Sequence, residues 1–278
     1  MDFINDIKHS FLKANSAERI IYLNVAFFIV ALFASSFVVN WFALPASFDA
    51  FITKPWTIIT YAFVHTRFLH LLSNLIVLFY IGNLFHDFFT GRQFLNVYFV
   101  GAIFSGLVFL TYNYVTGRSV MPLGGASASI TAVFVAVSTK IPRYGLHLRF
   151  IGSIELWVLA AIWVCLSIIG MSSTNGGGSV AHLAGALFGF VYTKQLEKGN
   201  DIGSWFNSIG DAFINMFKRT SDSNLKTVHK ASKRNGKTKN EPKTTQKKID
   251  EILDKIGKSG YDSLTKEEKE FLFRAGKK

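Results

Sequence analysis

The chain has 278 residues, half of them hydrophobic, with 28 Phe and a formal net charge of +12. A soluble domain of this size does not gather its apolar residues into long uncharged runs, so the composition defines a membrane protein. The single cysteine, Cys165, excludes an intramolecular disulfide.

In chain order, residues 1 to 19 are charged and amphipathic and form a cytoplasmic interfacial segment. The apolar run that follows, of about 23 residues, is too long for a signal-peptide core and marks an uncleaved span. Charge-poor stretches then occur at about 20 to 42, 68 to 86, 94 to 117, 119 to 139, 150 to 170 and 171 to 193. Each is close to the roughly 20 residues that cross about 30 Å of hydrocarbon. The expected fold is all-α, a polytopic six-transmembrane-helix bundle over residues 20 to 195. Glu155 interrupts these stretches only near an end, where it reaches the interface. Lys8, Lys13, Arg19, Arg92, Lys140, Arg143, Arg149 and Lys194 share one side, against Lys54, Arg67 and Arg118 on the other. This bias places both termini in the cytoplasm. The lack of a transit-like opening favours a bacterial inner (cytoplasmic) membrane.

From residue 195 onward, 19 basic residues face 12 acidic ones. Residues 196 to 244 read as a basic, disordered linker or a segment lying on anionic membrane lipid. Residues 245 to 278 read as a small helical hairpin, with apolar Ile249, Ile252, Leu253 and Ile256, a glycine break, and a Thr265 to Glu268 capping box. The lysines lack interleaved aromatics, so nucleic acid is not the expected partner.

Polar residues inside spans are costly and mark function. Counting back from the first cytoplasmic charges, Asp87, Lys140 and Lys194, puts Asn74, Ser127 and His182 at one depth, roughly 20 Å above that boundary at 1.5 Å per residue. His70 lies one turn above Asn74. A serine and a histidine at one level on different helices fit a nucleophile and its general base. His70, Asn74 and the Ser127 backbone N–H are donors at a depth suited to an oxyanion. Gly124 and Gly125 allow the sharp turn that exposes the Ser127 amide. No carboxylate shares this level, which suggests a dyad, and no metal or cofactor is implied.

Three segments, "HTRFLHLLSN" (65 to 74), "GGASAS" (124 to 129) and "AHLAGALFG" (181 to 189), together resemble the rhomboid intramembrane serine proteases. The resemblance runs over about residues 15 to 195. It implies Ser127 as nucleophile, His182 as base, and His70, Asn74 and the Ser127 amide as the oxyanion hole. It implies a close contact of spans four and six through Gly185 and Gly189, in keeping with small-residue helix packing. It also makes residues 43 to 66 a membrane-embedded outer loop and "MSSTNGGGS" (171 to 179) a mobile cap. The implied partners are transmembrane protein substrates and membrane lipids. The chain departs from the family in several places: Thr57 follows Trp56 where Arg is common, and Ala128 follows the nucleophile where Gly is common. Thr131 stands where an aromatic commonly packs on the base, and His86 and Asp87 stand where many members carry a Glu.

Three alternatives stay open. A solute transporter tends to show repeated halves, and none is visible here. A metal site of His65, His70 and His182 needs its ligands at one level, but His65 lies about a turn and a half above His70; His65 is assigned a structural role in the outer loop. The third is a proteolytically silent rhomboid-like protein that binds transmembrane helices.

Overall fold

The computed structural model describes residues 3–117, 121–148, 152–172, 176–217 and 243–275. Contacts divide the chain into two units, residues 1–220 and 221–278.

The first unit opens with α1 (Phe3–Lys13) and α2 (Ser16–Phe42). The start of α2 is set by a capping box in which Asn15 and Glu18 satisfy each other's backbone N–H groups. Toward its C-terminal end α2 kinks at Ala34, beside Ser35 and Ser36. Two short helices, α3 (Phe48–Thr53) and α4 (Thr57–Thr60), and a 3-10 turn (Tyr61–Phe63) lead into α5 (Phe68–Phe88). Next come α6 (Gly91–Thr116), capped by Thr90 and Gln93, and α7 (Ser127–Lys140). A hairpin of β1 (Gly145–Leu148) and β2 (Gly152–Glu155), paired Gly145 to Glu155, precedes α8 (Leu156–Gly170), α9 (Gly176–Glu197) and α10 (Ser204–Phe217).

Each of the six charge-poor stretches holds one of the helices α2 and α5 to α9. Among the described residues, α2, α5 and α6 are long and apolar enough to cross a membrane; α7 and α8 are shorter apolar helices. The shortening has physical causes. Pro122, Gly124 and Gly125 keep the start of the fourth stretch out of the helix until Ser127. In the fifth, the β-hairpin takes residues through Glu155, and that carboxylate accepts the Trp157 indole N–H at 2.6 Å.

Helix α7 is the centre of the unit. From Ala128 to Ser138 nearly every residue is buried, because small and β-branched side chains surround the whole helix rather than one stripe. Helix α9 lies directly on it. A Cβ built on Gly185 would collide with the carbonyl oxygen of Ala128, and one on Gly189 with that of Ala132. Close backbone approach of this kind is what small residues four apart allow. Gly101 of α6 also packs on α7: an added Cβ there would lie 2.8 Å from the Ala132 Cβ.

The outer loop is fastened to the end of α2, whose last carbonyls lack helical donors. Lys54 Nζ donates to the Asn40 carbonyl at 2.7 Å, Trp56 Nε1 to that of Trp41 at 2.8 Å, and Thr60 Oγ1 to that of Phe42 at 2.8 Å. Trp41 and Trp56 stack with their rings 9° from parallel. This anchoring needs no arginine at position 57; Thr57 is buried and donates to the Lys54 carbonyl at 2.7 Å.

Helix α10 falls within the segment expected to be a linker. It docks on α6 through stacking of Phe206 on Phe99 and an Arg92 to Asp211 ion pair at 3.5 Å. Residues 218 to 242 of that expected linker lie outside the described residues.

The second unit contains α11 (Lys243–Ser259) and α12 (Lys266–Ala275), joined at Gly260, which has φ +79°. Thr265 and Glu268 form a capping box, and Lys255 Nζ donates to Glu268 at 3.0 Å.

Candidate active site

Ser127, the nucleophile expected from the sequence, is placed by a sharp entry into α7. Leu44 and Leu123 exchange backbone hydrogen bonds at 2.8 and 2.9 Å, and the Gly125 N–H donates to the Tyr61 carbonyl at 2.9 Å. Gly125 has φ +127°, a conformation that favours glycine. Space demands glycine there too: an added Cβ would stand 2.8 Å from Cε1 of His70. Gly124 is held against Val64, whose carbonyl oxygen would lie 3.2 Å from an added Cβ. Ser127 is then the first residue of α7, so its N–H has no acceptor within the helix and sits at the positive end of the helix dipole.

His182 comes from α9. Its Nε2 lies 2.7 Å from Ser127 Oγ, so the two side chains share a hydrogen bond between different helices. Both are half-buried. Helix α7 carries no carboxylate, and α9 carries only Glu197 at its last position, far from His182.

The structure arranges the remaining polar residues differently from one another. The His70 ring lies against Gly125, two residues before Ser127. Asn74 is buried and uses its amide internally: Nδ2 donates to the His70 carbonyl at 2.8 Å and pairs with His65 Nε2 at 3.2 Å. His65 is more central than a loop residue need be. It is buried, approaches the Phe63 carbonyl with Nδ1 at 3.4 Å, and accepts the Ala126 N–H at 3.4 Å. It stands 5.1 Å from His70, ring to ring, so its place beside the site was hidden only by its position outside α5.

One neighbour of His182 is not suggested by sequence spacing. Trp163 of α8 packs its ring on the imidazole with centroids 5.5 Å apart. Its Nε1 donates at 2.9 Å to Thr131 Oγ1, and Thr131 donates in turn to the Ser127 carbonyl at 2.8 Å.

The cap expected over residues 171 to 179 is shorter than its sequence implies. Residues 173 to 175 lie outside the described residues, while Gly176 to Gly178 already belong to α9 and are buried. The reason is packing: an added Cβ on Gly177 would fall 2.7 Å from the Phe109 ring of α6.

These features define a helical membrane protein with a serine and a histidine joined across two tightly packed helices. The rhomboid-domain profile matches residues 53–198, more than half of the chain, and the chain belongs to the rhomboid family. A second profile, a family of unknown function (DUF6576), matches residues 236–278.

Among curated relatives, the zebrafish (Danio rerio) presenilin-associated rhomboid-like protein A, mitochondrial, is 32% identical over 137 residues, 47% of this chain and 35% of that protein. Rhomboid-like protease 3 of Toxoplasma gondii is 27% identical over 157 residues, 54% of this chain and 56% of its own. The RHOMBOID-like protein 12, mitochondrial, of Arabidopsis thaliana is 26% identical over 157 residues, 51% of this chain and 47% of its own. The matches thus span between about a third and just over half of these relatives. They correct one expectation. The opening of the chain favours a bacterial inner membrane, but the zebrafish and Arabidopsis proteins are named as mitochondrial, so the bacterial assignment is set aside.

Proposed function

We propose that the chain is an intramembrane serine endopeptidase that cleaves transmembrane segments of other membrane proteins through a Ser127 and His182 dyad. The observation that carries this reading is the 2.7 Å contact between Ser127 Oγ and His182 Nε2, made between helices whose spacing the glycines of α9 set. Membership in the rhomboid family supports it.

In this reading His182 takes the serine proton as Oγ attacks the scissile carbonyl, then returns it to the leaving amine; water, activated by the same imidazole, releases the acyl group. The developing oxyanion is received by the Ser127 N–H and by His70. Asn74 joins them only by releasing one of its present acceptors. A scissile bond must leave its helical hydrogen bonds to reach Ser127, so substrates are expected to carry weak, Gly- or Pro-containing helices. Helices α2 and α5 to α9 are the six spans, and both termini share one side of the membrane.

The test is labelling of purified protein by a fluorophosphonate probe, together with cleavage of a single-span reporter in liposomes. Wild type is expected to label and cleave, and Ser127→Ala and His182→Ala to do neither while remaining folded. A folded wild type that neither labels nor cleaves, beside an active relative that does both, would replace this reading with a silent helix-binding role.

A further inference from the structure

The Ser127 to His182 hydrogen bond fixes one atom of the imidazole, Nε2. That bond alone does not set the plane of the ring, and a base whose plane swings presents its lone pair to the serine only part of the time. Something must hold its plane. Position 131, one turn along α7 from the nucleophile, carries only a small hydroxyl residue and cannot cover the ring.

The cover comes from α8. Leu156, Ala160 and Ser167 form the buried stripe of this helix; Trp163, itself 37% exposed, lies at a spacing that places it on the same face. Its indole meets the His182 ring at 5.5 Å with planes tilted 37°, within the range where ring faces attract. The indole is itself fixed. A threonine hydroxyl has one proton and two lone pairs; Thr131 spends the proton on the Ser127 carbonyl at 2.8 Å and offers a lone pair to Trp163 Nε1 at 2.9 Å. Thr131 is fully buried, so water does not compete for that bond. The result is a closed circuit in which the residue against the base is anchored to the backbone of the nucleophile.

We infer that Trp163, held by Thr131, is the positioning residue for His182. The inference rests on the dyad reading above. Trp163 and Thr131 touch neither substrate nor reacting atoms in this scheme; they restrict the imidazole plane, and their effect falls on the chemical step. Misplacement of a catalytic group by about 1 Å can lower the rate by about 100-fold.

The experiment measures kcat and KM on a single-span reporter, the fluorophosphonate labelling rate, and thermal unfolding for the full-length protein. Trp163→Leu is expected to lower kcat and the labelling rate by about 10- to 100-fold with KM and the unfolding temperature close to wild type. Trp163→Phe keeps a ring and is expected to recover most of that loss. Thr131→Val, which keeps the shape but removes both the acceptor for Trp163 and the donor to the Ser127 carbonyl, is expected to be impaired at least as much as Trp163→Phe. The Trp163→Phe and Thr131→Val double variant is expected to be no worse than Thr131→Val alone, because the Trp163 to Thr131 bond is already lost there. Wild-type kcat in Trp163→Leu, or a Trp163→Phe variant as impaired as Trp163→Leu, would overturn the inference. If Trp163→Leu fails to fold, the Phe and Val variants decide: full additivity overturns it, and non-additivity supports it. Activity remaining in Ser127→Ala would instead overturn the dyad itself.

Discussion

Substitution of Gly185 by alanine is the most direct probe of how this site is assembled. The added methyl points at the Ala128 carbonyl oxygen, a backbone atom that cannot rotate away. Restoring ordinary van der Waals distance requires α9 and α7 to separate by about 1 Å, and overpacking of this kind typically costs about 1 to 3 kcal/mol. Ala128 follows Ser127 directly, and Gly185 lies less than one turn from His182, so the same displacement acts on the dyad. Adding about 1 Å to the 2.7 Å Ser127 to His182 contact takes it outside hydrogen-bonding range. The labelling rate is therefore expected to fall by about 100-fold, the scale for misplacing a catalytic group by that distance. Gly210→Ala in α10 is the control, since nothing lies within 4 Å of its added methyl. Stopped-time fluorophosphonate labelling, with thermal unfolding in parallel, reads both effects. A Gly185→Ala protein that labels at the wild-type rate would refute the argument that helix separation sets the dyad.

Other outcomes follow from single contacts. Trp56→Phe keeps the ring stacked on Trp41 but removes the donor to the Trp41 carbonyl, and is expected to lower stability by about 0.5 to 1.5 kcal/mol in denaturant titration. His65→Ala strips Asn74 and the Ala126 N–H of a shared buried partner, and is expected to cost about 1 to 3 kcal/mol and to slow labelling as well. In the second unit, the Thr265 N–H bond, then Lys255, holds the Glu268 carboxyl below the ordinary glutamate range. A lowered folded-state value means that the cap stabilises α12 above the ordinary glutamate pKa of about 4.3 and that this contribution is lost as pH falls through the folded value. Hydrogen exchange at the Thr265 amide is expected to accelerate on acidification over that range, and a Glu268→Gln variant to lose most of this pH dependence.

The helices were legible where burial left one option. A charge-free apolar run has to satisfy its own backbone, so each of the six stretches contains a helix. Boundaries were less legible: Pro122 and the glycines before Ser127 delay α7, and residues 145–148 and 152–155 pair as strands across the start of the fifth charge-poor stretch. The break in composition near residue 195 masks α10, although Ile202, Trp205, Phe206 and Ile209 follow a helical spacing that marks it. Counting depth back from the first charge that follows each stretch brings Ser127 and His182 to one level, and they touch. Depth alone does not say which face of α8 meets them, so Trp163 carries no sequence signal beyond the absence of an aromatic at position 131. His65 is obscured for the opposite reason: it precedes α5, yet the turn at Val64 to Arg67 folds it back to Asn74.

The two halves of the site are held by different means, and the difference has consequences for its chemistry. The His182 side depends on packing: glycines bring α9 onto α7, and an indole covers the imidazole. The other side depends on one histidine tautomer. With Nδ1–H directed to the Phe63 carbonyl, His65 keeps a bare Nε2, and only a bare nitrogen can accept from both Asn74 Nδ2 and the Ala126 N–H. Ala126 immediately precedes Ser127, and Asn74 lies on the helix that carries His70. A neutral His65 therefore ties the turn bearing Ser127, the proposed nucleophile, to the helix bearing the proposed oxyanion donors, so their separation is set before any substrate enters. His65→Gln, whose side-chain oxygen accepts but cannot reproduce the ring's two-sided reach, is expected to preserve part of this link and to fall between wild type and His65→Ala in both stability and labelling rate.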